Sequence, residues 1–298
     1  MAESRELLRI SCNRFPGIDR NTHPSLAAHT RAACAAPLLF DPGVNIAYSS
    51  PAFNLLADIV RVVSDEPLPE YLSAHVFGRL GMTDTTLGLA SERQPARETA
   101  MNRAIPDEPA FLNRGSIAIR KEVRRGAGQA EGGGGYSVFG HNSEWWRTLG
   151  AAWAGLLTTS ADLTKLMQAL LSGGGGILAE QTVQEMTRSH THGPDASIRT
   201  LPSQVRQGPI WDGLAPISFG LSFRTNGAWA PPEAERSFGE RNGRQLFGHH
   251  GGSGCQMWGD PRTGVSFVML TTEPTMCKSP EFGELSELAL EAAAGLLG

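Results

Sequence analysis

Short alternating segments separated by glycine- and proline-rich turns fill the last third of this sequence, and they constrain the fold more than any other feature. Residues 255–258 and 265–270 flank the turn sequence Asp-Pro-Arg-Thr-Gly at 260–264, which predicts a β-hairpin. Residues 246–249 predict the end of another strand, and residues 218–223 alternate as a strand does. The C-terminal third is therefore expected to form an antiparallel sheet.

Helical signals dominate the first two thirds of the chain. Ser50 is expected to cap a helix that has Pro51 in its first position and ends at residues 65–67. Apolar residues recur at helical spacing along this helix and predict a buried stripe, namely Phe53, Leu56, Ile59, Val60 and Val63. Further helices are predicted over residues 70–79, from a Thr159 cap to the glycines at 173–176, over residues 179–188, and from a Ser279 cap to residue 297.

An early helical part and a late sheet with a covering helix indicate the α+β fold class. We expect one domain over residues 1–298, in which residues 1–205 form mainly a helical lobe and loops. Residues 206–298 are expected to supply the C-terminal strands and their covering helix. Residues 88–135 are rich in Arg, Glu, Pro and Gly and predict a long irregular excursion, which is usually functional or mobile.

The composition excludes several classes of protein. A net charge of −4 gives no basic face for nucleic acid, and no apolar run is long enough to span a membrane. The first nine residues lack the apolar core of a signal peptide, so the chain as it stands is expected to be cytoplasmic. The cysteines at positions 12, 34, 255 and 277 lack the spacing of a zinc or redox site and are expected to be reduced, with pairing between the two chain ends as the alternative.

Tyr48 is the first candidate for chemistry. It stands two residues before the predicted Ser50 cap, on a loop that the following helix holds in place. A nearby cation would lower the pKa of a tyrosine from about 10 and let the hydroxyl shuttle a proton. The alternative is a packed ring whose hydroxyl bonds to the backbone, and spacing alone favours it. Ser50 is explained by helix capping, and a hydroxyl pointed at a substrate is its second possible role.

His249 is the second candidate, within the stretch Phe-Gly-His-His-Gly-Gly-Ser-Gly at 247–254. Glycines there let another backbone approach closely, so a histidine at the strand end would face a carboxylate or a reacting oxygen of a ligand. The alternative is a tight turn with two surface histidines. No Gly-Lys-Ser/Thr ends the stretch, and Cys255 stands where a nucleophile elbow needs glycine, so neither of those motifs is present.

Two further clusters carry weaker signals. His190-Thr191-His192 has no acidic or cysteine partner at a useful spacing, so a surface loop is expected there in place of a metal site. Trp145 and Trp146 are compatible with a pocket wall and equally with core or interface packing.

Taken in order, four stretches resemble the serine β-lactamase and penicillin-binding-protein superfamily, on the branch of class C β-lactamases and related esterases and peptidases. The first, at residues 40–56, contains Asp-Pro-Gly, Tyr-Ser-Ser and the following helix. The others are Leu-Gly-Met-Thr-Asp-Thr at 80–85, Gly-Leu-Leu-Thr-Thr-Ser-Ala-Asp-Leu at 155–163, and residues 247–254 with Asp-Pro at 260–261.

This resemblance implies a β-lactamase/transpeptidase-like fold. It also implies an enzyme that hydrolyses a small amide or ester through an acyl-enzyme, with no cofactor or metal. It implies that Tyr48 relays protons, and that His249 and Gly251 take the places of the Lys or His and the glycine of the third family motif. Ser50 stands where the family usually has Asn, in a substrate-binding position. The histidine in the third motif favours an esterase or peptidase over an antibiotic-resistance enzyme.

The Ser-x-x-Lys nucleophile motif of that family is not found in the sequence. The residues three positions before Lys121, Lys165 and Lys278 are Ala118, Asp162 and Thr275. In the family the motif precedes the stretch that residues 7–12 resemble, so we expect an incomplete domain that lacks N-terminal strands and the nucleophile helix. Such a chain is expected to be poorly soluble or marginally stable, and to come from an exported protein if the missing segment carries a signal.

Two hypotheses on function follow. The first is an N-terminally truncated serine hydrolase that is inactive as it stands, and the second is a non-catalytic binding or structural relative, or a decayed gene fragment. The substrate and the oligomeric state do not follow from the sequence.

Overall fold

The computed structural model describes residues 18, 24–38, 41–43, 49–89, 144–191, 218–226, 245–251, 255–270 and 280–297. Several predictions fall outside these residues: the role of Tyr48, the Ser279 cap, most of the excursion at 88–135, and the redox state of Cys12 and Cys277. The helices are α1 Leu26–Ala35, α2 Ser50–Ser64, α3 Leu68–Leu72, α4 Glu144–Leu149, α5 Ser160–Leu171, α6 Glu180–Thr187 and α7 Pro280–Leu297. The strands are β1 Thr86–Leu87, β2 Leu156–Leu157, β3 Arg224–Asn226, β4 Leu246–His250, β5 Gln256–Asp260 and β6 Val265–Met269.

The four C-terminal strands form one antiparallel sheet in the order β3-β4-β5-β6, and β1 pairs with β2 in a separate two-stranded ribbon. The predicted hairpin is confirmed as β5 and β6. Its turn closes by a bond from the Gly264 amide to the Asp260 carbonyl (2.9 Å), while the Arg262 amide donates to Asp260 Oδ1 (2.9 Å). Gly264 has a φ of 72°, in the left-handed region that a side chain disfavours.

The strand predicted over residues 218–223 is wrong in position. Those residues turn back on themselves, because Ser222 adopts a φ of 69° and the Gly220 amide donates to the Phe223 carbonyl (2.8 Å). The strand β3 begins at Arg224, one residue after the predicted strand ends. The alternating pattern is real, but a left-handed residue within it bends the chain before the ladder begins.

Each face of the sheet packs against helices. On one face, Phe223 and Phe247 join Met167, Leu170 and Val183, so α5 and α6 cover this side. On the other face, Leu246 and Trp258 pack against Leu290 of α7, and Trp258 stacks on Phe267 with ring centroids 5.4 Å apart. The sheet with helices on both faces agrees with the predicted α+β class.

Helix α5 is built as the sequence predicts. Thr159 caps it by accepting a hydrogen bond from the Asp162 amide (3.2 Å), the glycine run at 173–176 follows its end, and Leu163, Met167 and Leu170 are buried. The side chain of Asp162 is buried too and accepts from the Asp84 amide (2.8 Å), Thr85 Oγ1 (2.9 Å) and Lys165 Nζ (2.8 Å). Burial opposes ionisation of Asp162, but these bonds outweigh it and hold its pKa below the usual 3.8.

Replacing Asp162 with alanine is expected to lower the free energy of unfolding by about 3 kcal/mol, because three donors on two elements would lose their common acceptor. Urea titration followed by circular dichroism measures this change. Asp58→Ala is the matched control, since Asp58 forms an exposed i,i+3 pair with Arg61 at the same 2.8 Å. Its expected cost is below about 0.5 kcal/mol, and equal losses in the two variants would contradict the role of Asp162.

Helix α2 departs from the prediction in two ways. Ser49, not Ser50, is the cap, because the Ser49 hydroxyl accepts from the Ala52 amide (3.3 Å) and Ser50 already lies within the helix. The predicted buried stripe is wrong: Phe53, Leu56, Ile59 and Val63 are exposed and Val60 is half-buried. Helical spacing identified an apolar face correctly, but it does not show what covers that face.

The remaining helices follow the sequence closely. The helix predicted over 70–79 begins at Leu68 and continues as a π-helical turn over Ser73–Phe77, after which a turn leads to Gly81, whose φ is 65°. α6 matches its predicted bounds to within one residue at each end, and α7 spans the predicted range. Among the described residues no helix is long and apolar enough to cross a bilayer.

Candidate functional site

His249 and Gly251 lie at the end of β4, where the glycine-rich stretch begins. β4 pairs with β5 so that His249 faces Met257 and His250 faces Gln256 across the ladder. The Gly251 amide donates to the Cys255 carbonyl (2.8 Å) and extends this pairing one step beyond the strand. The two residues that the sequence assigned to one motif are therefore neighbours at one end of the sheet.

Alternation along β4 places the two histidines on opposite faces. Phe247, two residues before His249, belongs to the cluster that α5 and α6 cover. Gly248 and His250 share the other face, which carries Trp258 and α7 further along. His249 therefore projects from the helix-covered side of the sheet end, not from a surface turn, and the alternative of two surface histidines does not hold.

The imidazole of His249 is held in one neutral form. Burial and, to a smaller extent, the charge of Arg224 lower its pKa to about 4, although the bond to the His250 carbonyl opposes both effects in part. Nδ1 lies 2.7 Å from that carbonyl oxygen. A neutral ring in this position must donate from Nδ1, so Nε2 carries the lone pair and is an acceptor.

His250 is held neutral more strongly still. Burial, the charge of Arg224 and, when both rings are protonated, repulsion from His249 together lower its pKa to about 3. Arg224 causes part of both shifts and was not identified from the sequence. It is buried on β3 directly opposite Gly248. In the sequence Arg224 directly follows the segment predicted as a strand over 218–223. The prediction ended at residue 223 and therefore did not include it.

Gln256 is a second residue that sequence reasoning missed. It lies across the ladder from His250 and is only 2% exposed. Its amide nitrogen and oxygen are both buried and make no hydrogen bond. A buried amide without hydrogen-bond partners is energetically costly, so Gln256 is added to the residues that mark this end of the sheet.

Gly248 explains why the motif is rich in glycine. A Cβ at this position would overlap the Met257 carbonyl oxygen and would lie 2.7 Å from Trp258 Cα and 2.8 Å from Trp258 Cβ. β4 and β5 therefore approach closely only because residue 248 has no side chain.

Ser50 lies on a different element, within the first turn of α2, and is buried, with 3% of its surface exposed. The structure places it in the helical part and His249 in the sheet. Tyr48, two residues earlier, lies outside the described residues.

His190 and Thr191 lie among the described residues and His192 lies outside them; Thr191 is buried, which departs from the surface loop expected there. His190 Nε2 lies 3.0 Å from the Glu185 carbonyl, and Thr191 Oγ1 accepts from the Phe219 amide (3.0 Å), so this loop is anchored to α6 and to the turn before β3. No group of histidine, cysteine or acidic residues suited to a metal occurs in the part of the chain that the structure describes. Trp146 is buried and contacts both Trp145 and Trp153 edge-on, which favours packing over a pocket wall.

A family model described as Beta-lactamase matches residues 5–283. Two relatives, each named "Putative D-alanyl-D-alanine carboxypeptidase", come from Escherichia coli O157:H7 (27% identical over 253 residues) and Escherichia coli strain K12 (28% over 247). Both matches cover 80% of this chain and 47% of the relative. The chain thus spans about half the length of the curated relatives it matches.

Solved structures agree on the fold. A penicillin-binding protein homolog from Caulobacter crescentus superposes with a TM-score of 0.58 at 21% identity, over 97% of this chain and 71% of that one. The D-amino acid amidase from Ochrobactrum anthropi SV3 gives 0.57 at 20% identity, over 98% and 72%. EstCE1, described as a hydrolase with promiscuous acyltransferase activity, gives 0.54 at 20% identity, over 90% and 61%. At these identities the likeness establishes the predicted β-lactamase/transpeptidase-like fold and nothing finer.

Proposed function

This chain belongs to the beta-lactamase family of serine hydrolases, and we propose that a small amide or ester binds along the end of β4. The observation that carries the proposal is the neutral, half-buried His249 with its Nδ1–H directed to the His250 carbonyl and its Nε2 lone pair available. A charged lysine in the same position would attract a carboxylate, whereas a neutral imidazole accepts a proton or a hydrogen bond. His249 therefore suits a substrate that presents an N–H or O–H group.

Each proposed site residue has a separate task. His249 Nε2 would accept from the substrate or from the leaving group, and the glycine backbone at residue 251 would let the acyl group lie against the strand. Tyr48 is proposed as the proton relay between a nucleophile and the leaving group. Ser50 is the weakest member, because its side chain is part of a buried helix start.

Family chemistry needs a nucleophilic serine with a lysine one helical turn away, and the 298 residues contain no Ser-x-x-Lys. Lys165, the lysine that the structure describes, already donates to Asp162 Oδ1 (2.8 Å) and to the Gly81 carbonyl. We therefore propose that these residues on their own bind a substrate without cleaving it. Hydrolysis through an acyl-enzyme would need a nucleophile that this sequence does not supply.

The names of relatives support a proposed substrate class. D-alanyl-D-alanine carboxypeptidase, D-amino acid amidase and EstCE1 hydrolase all point to a small acyl compound, and the first two to a D-configured amide. A D-amino acid amide is accordingly the first ligand to examine. A non-catalytic binding role is the second candidate function, and the absence of Ser-x-x-Lys is the observation that favours it.

Titration with D-phenylalanine amide is expected to give saturable binding by calorimetry, and His249→Phe is expected to weaken it by about tenfold through loss of one hydrogen bond. His75→Phe serves as control, because His75 lies in the π-helical turn away from the sheet. Intact-mass measurement after treatment with a fluorophosphonate is expected to show no added mass. A serine adduct would overturn the non-cleaving role, whereas no binding, or equal binding by both variants, would overturn the site at β4.

A further inference from the structure

Arg224 lies in a buried row of residues that crosses the sheet beside His249. Phe219 faces Arg224 across an isolated antiparallel bridge, and Gly248 of β4 faces it from the other side. The guanidinium carbon lies 5.8 Å from the centre of the Phe219 ring, and 4% of the Arg224 surface is exposed. The charge of Arg224 is therefore held against an aromatic ring, away from bulk solvent and next to the strand that carries His249.

The turn before β3 fixes the position of Phe219, and through it the position of the guanidinium. The Phe219 amide donates to Thr191 Oγ1 (3.0 Å), and the Phe219 carbonyl accepts from the His190 amide (2.7 Å). Ser222, with a φ of 69°, turns the chain back so that Phe219 and Arg224 lie opposite each other. The place of this charge is thus set by the fold of the turn.

The backbone at residue 248 separates Arg224 from His249. Opposed residues of an antiparallel pair have their Cα atoms about 4.5–5.5 Å apart, and His249 directly follows Gly248, which has no side chain. Two like charges this close repel each other strongly where water does not screen them. Protonation of His249 would create such a pair, and this repulsion adds to the larger effect of burial in lowering the pKa of His249 to about 4.

Other charged and titratable groups around this pair leave the effect of Arg224 on His249 in place. Among the described residues they are His250 on β4, Cys255 and Asp260 by β5, Glu185 and Arg188 at the end of α6, and Glu287 on α7. Glu185 pairs with Arg188 at 2.6 Å, while Asp260 and Glu287 belong to the side of the sheet that α7 covers. His249 projects from the other side, where the packed cluster is apolar.

We propose that Arg224 is a positioning residue that keeps His249 a hydrogen-bond acceptor for a ligand at the end of β4. The inference rests on the proposed function, in which His249 Nε2 accepts from an N–H or O–H group of the substrate. A protonated imidazole donates from both nitrogens and accepts from neither, so it would lose this bond. Arg224 acts through His249, and its effect is a site that binds the same donor group at neutral pH and at pH 5, where an ordinary histidine is mostly charged.

NMR titration of the labelled imidazoles between pH 4.5 and 8, without ligand, measures the action of Arg224 on His249. The His249→Asn variant identifies the resonance. Arg224→Met removes the charge and keeps a long side chain, and it is expected to raise the pKa of His249 by about one pH unit, because burial still opposes protonation. Arg224→Lys keeps the charge and is expected to keep the parent pKa. Phe219→Leu, which keeps the charge and removes the ring that holds it, is expected to give a smaller rise and serves if Arg224→Met does not fold.

Calorimetric titration with D-phenylalanine amide at pH 7.5 and 4.5 measures the consequence for binding. The ratio of the two Kd values is expected to be about threefold larger for Arg224→Met than for the parent, because a pKa near 5 leaves most of the His249 rings charged at pH 4.5. Titration of the ligand itself is the same for both proteins and cancels. Arg61→Met is the matched control, since Arg61 is exposed on α2, and it is expected to leave the ratio unchanged.

A purely structural role would weaken binding equally at both pH values and would leave the pKa of His249 unchanged. That result in Arg224→Met would overturn the proposal, as would equal shifts of the pKa in Arg224→Met and Arg224→Lys. A raised pKa in Arg224→Met together with no binding of the amide by either protein would overturn the proposed function, while supporting the action of Arg224 on His249.

Discussion

Lowering the pH from 7 to 4 is expected to remove several kcal/mol of folding stability, because His249 and His250 stay neutral in the folded chain. Their pKa values in the fold are about 4 and about 3, against an ordinary value of 6.5. Between these limits the unfolded chain binds protons that the folded chain does not, so stability falls as the pH falls. The expected slope is about 1.4 kcal/mol per pH unit for each histidine, and it vanishes above about pH 6.5.

Urea unfolding at half-unit steps from pH 7.5 to 4 measures this slope. His249→Asn is expected to remove about half of it, and the double variant His249→Asn/His250→Asn nearly all of it, whatever the variants cost at pH 7. His75→Asn, in the half-exposed π-helical turn, controls for loss of a histidine elsewhere. The low pKa of Asp162 does not interfere, since its contribution is lost only as the pH falls below about 3.8. A slope that survives the double variant would show that other groups cause it.

The features that the sequence predicted correctly are those with a local cause. The β5–β6 hairpin depends on Asp260 and Gly264 within one turn, and the start of α5 depends on Thr159 and the amide of Asp162. In each case all the atoms involved lie within a few residues of one another. Such signals are present in any short window of the sequence, so the prediction needs no knowledge of the tertiary fold.

What the sequence did not predict depends on contacts between distant residues. Arg224 acts on His249 only because β3 pairs with β4, and no spacing rule brings residues 25 positions apart together. The predicted buried stripe on α2 was wrong for a related reason. Periodicity identifies the apolar side of a helix, but which element packs against that side depends on the tertiary fold. The roles of Tyr48, Ser50, His249 and Gly251 and the division of the domain at residue 205 remain predictions.

The substitution Gly248→Ala is expected to cost at least about 3 kcal/mol, more than overpacking usually does. The added Cβ would overlap the Met257 carbonyl oxygen and would clash with Cα and Cβ of Trp258. None of these atoms can move by rotating a side chain, so β4 and β5 must separate. Because His249 and Gly251 lie on the same strand, ligand binding is expected to fall together with stability.

Gly295→Ala is the control, because it makes the same change where nothing lies within 4 Å. Gly295 lies within α7 without a positive φ, so alanine there should raise the unfolding free energy by about 0.5–1 kcal/mol. The two variants are thus expected to shift the urea midpoint in opposite directions. Fluorescence of the stacked Trp258 should change only in Gly248→Ala. If Gly248→Ala were as stable as the parent, the β4–β5 register would be wrong, and with it the placement of His249 on the helix-covered face.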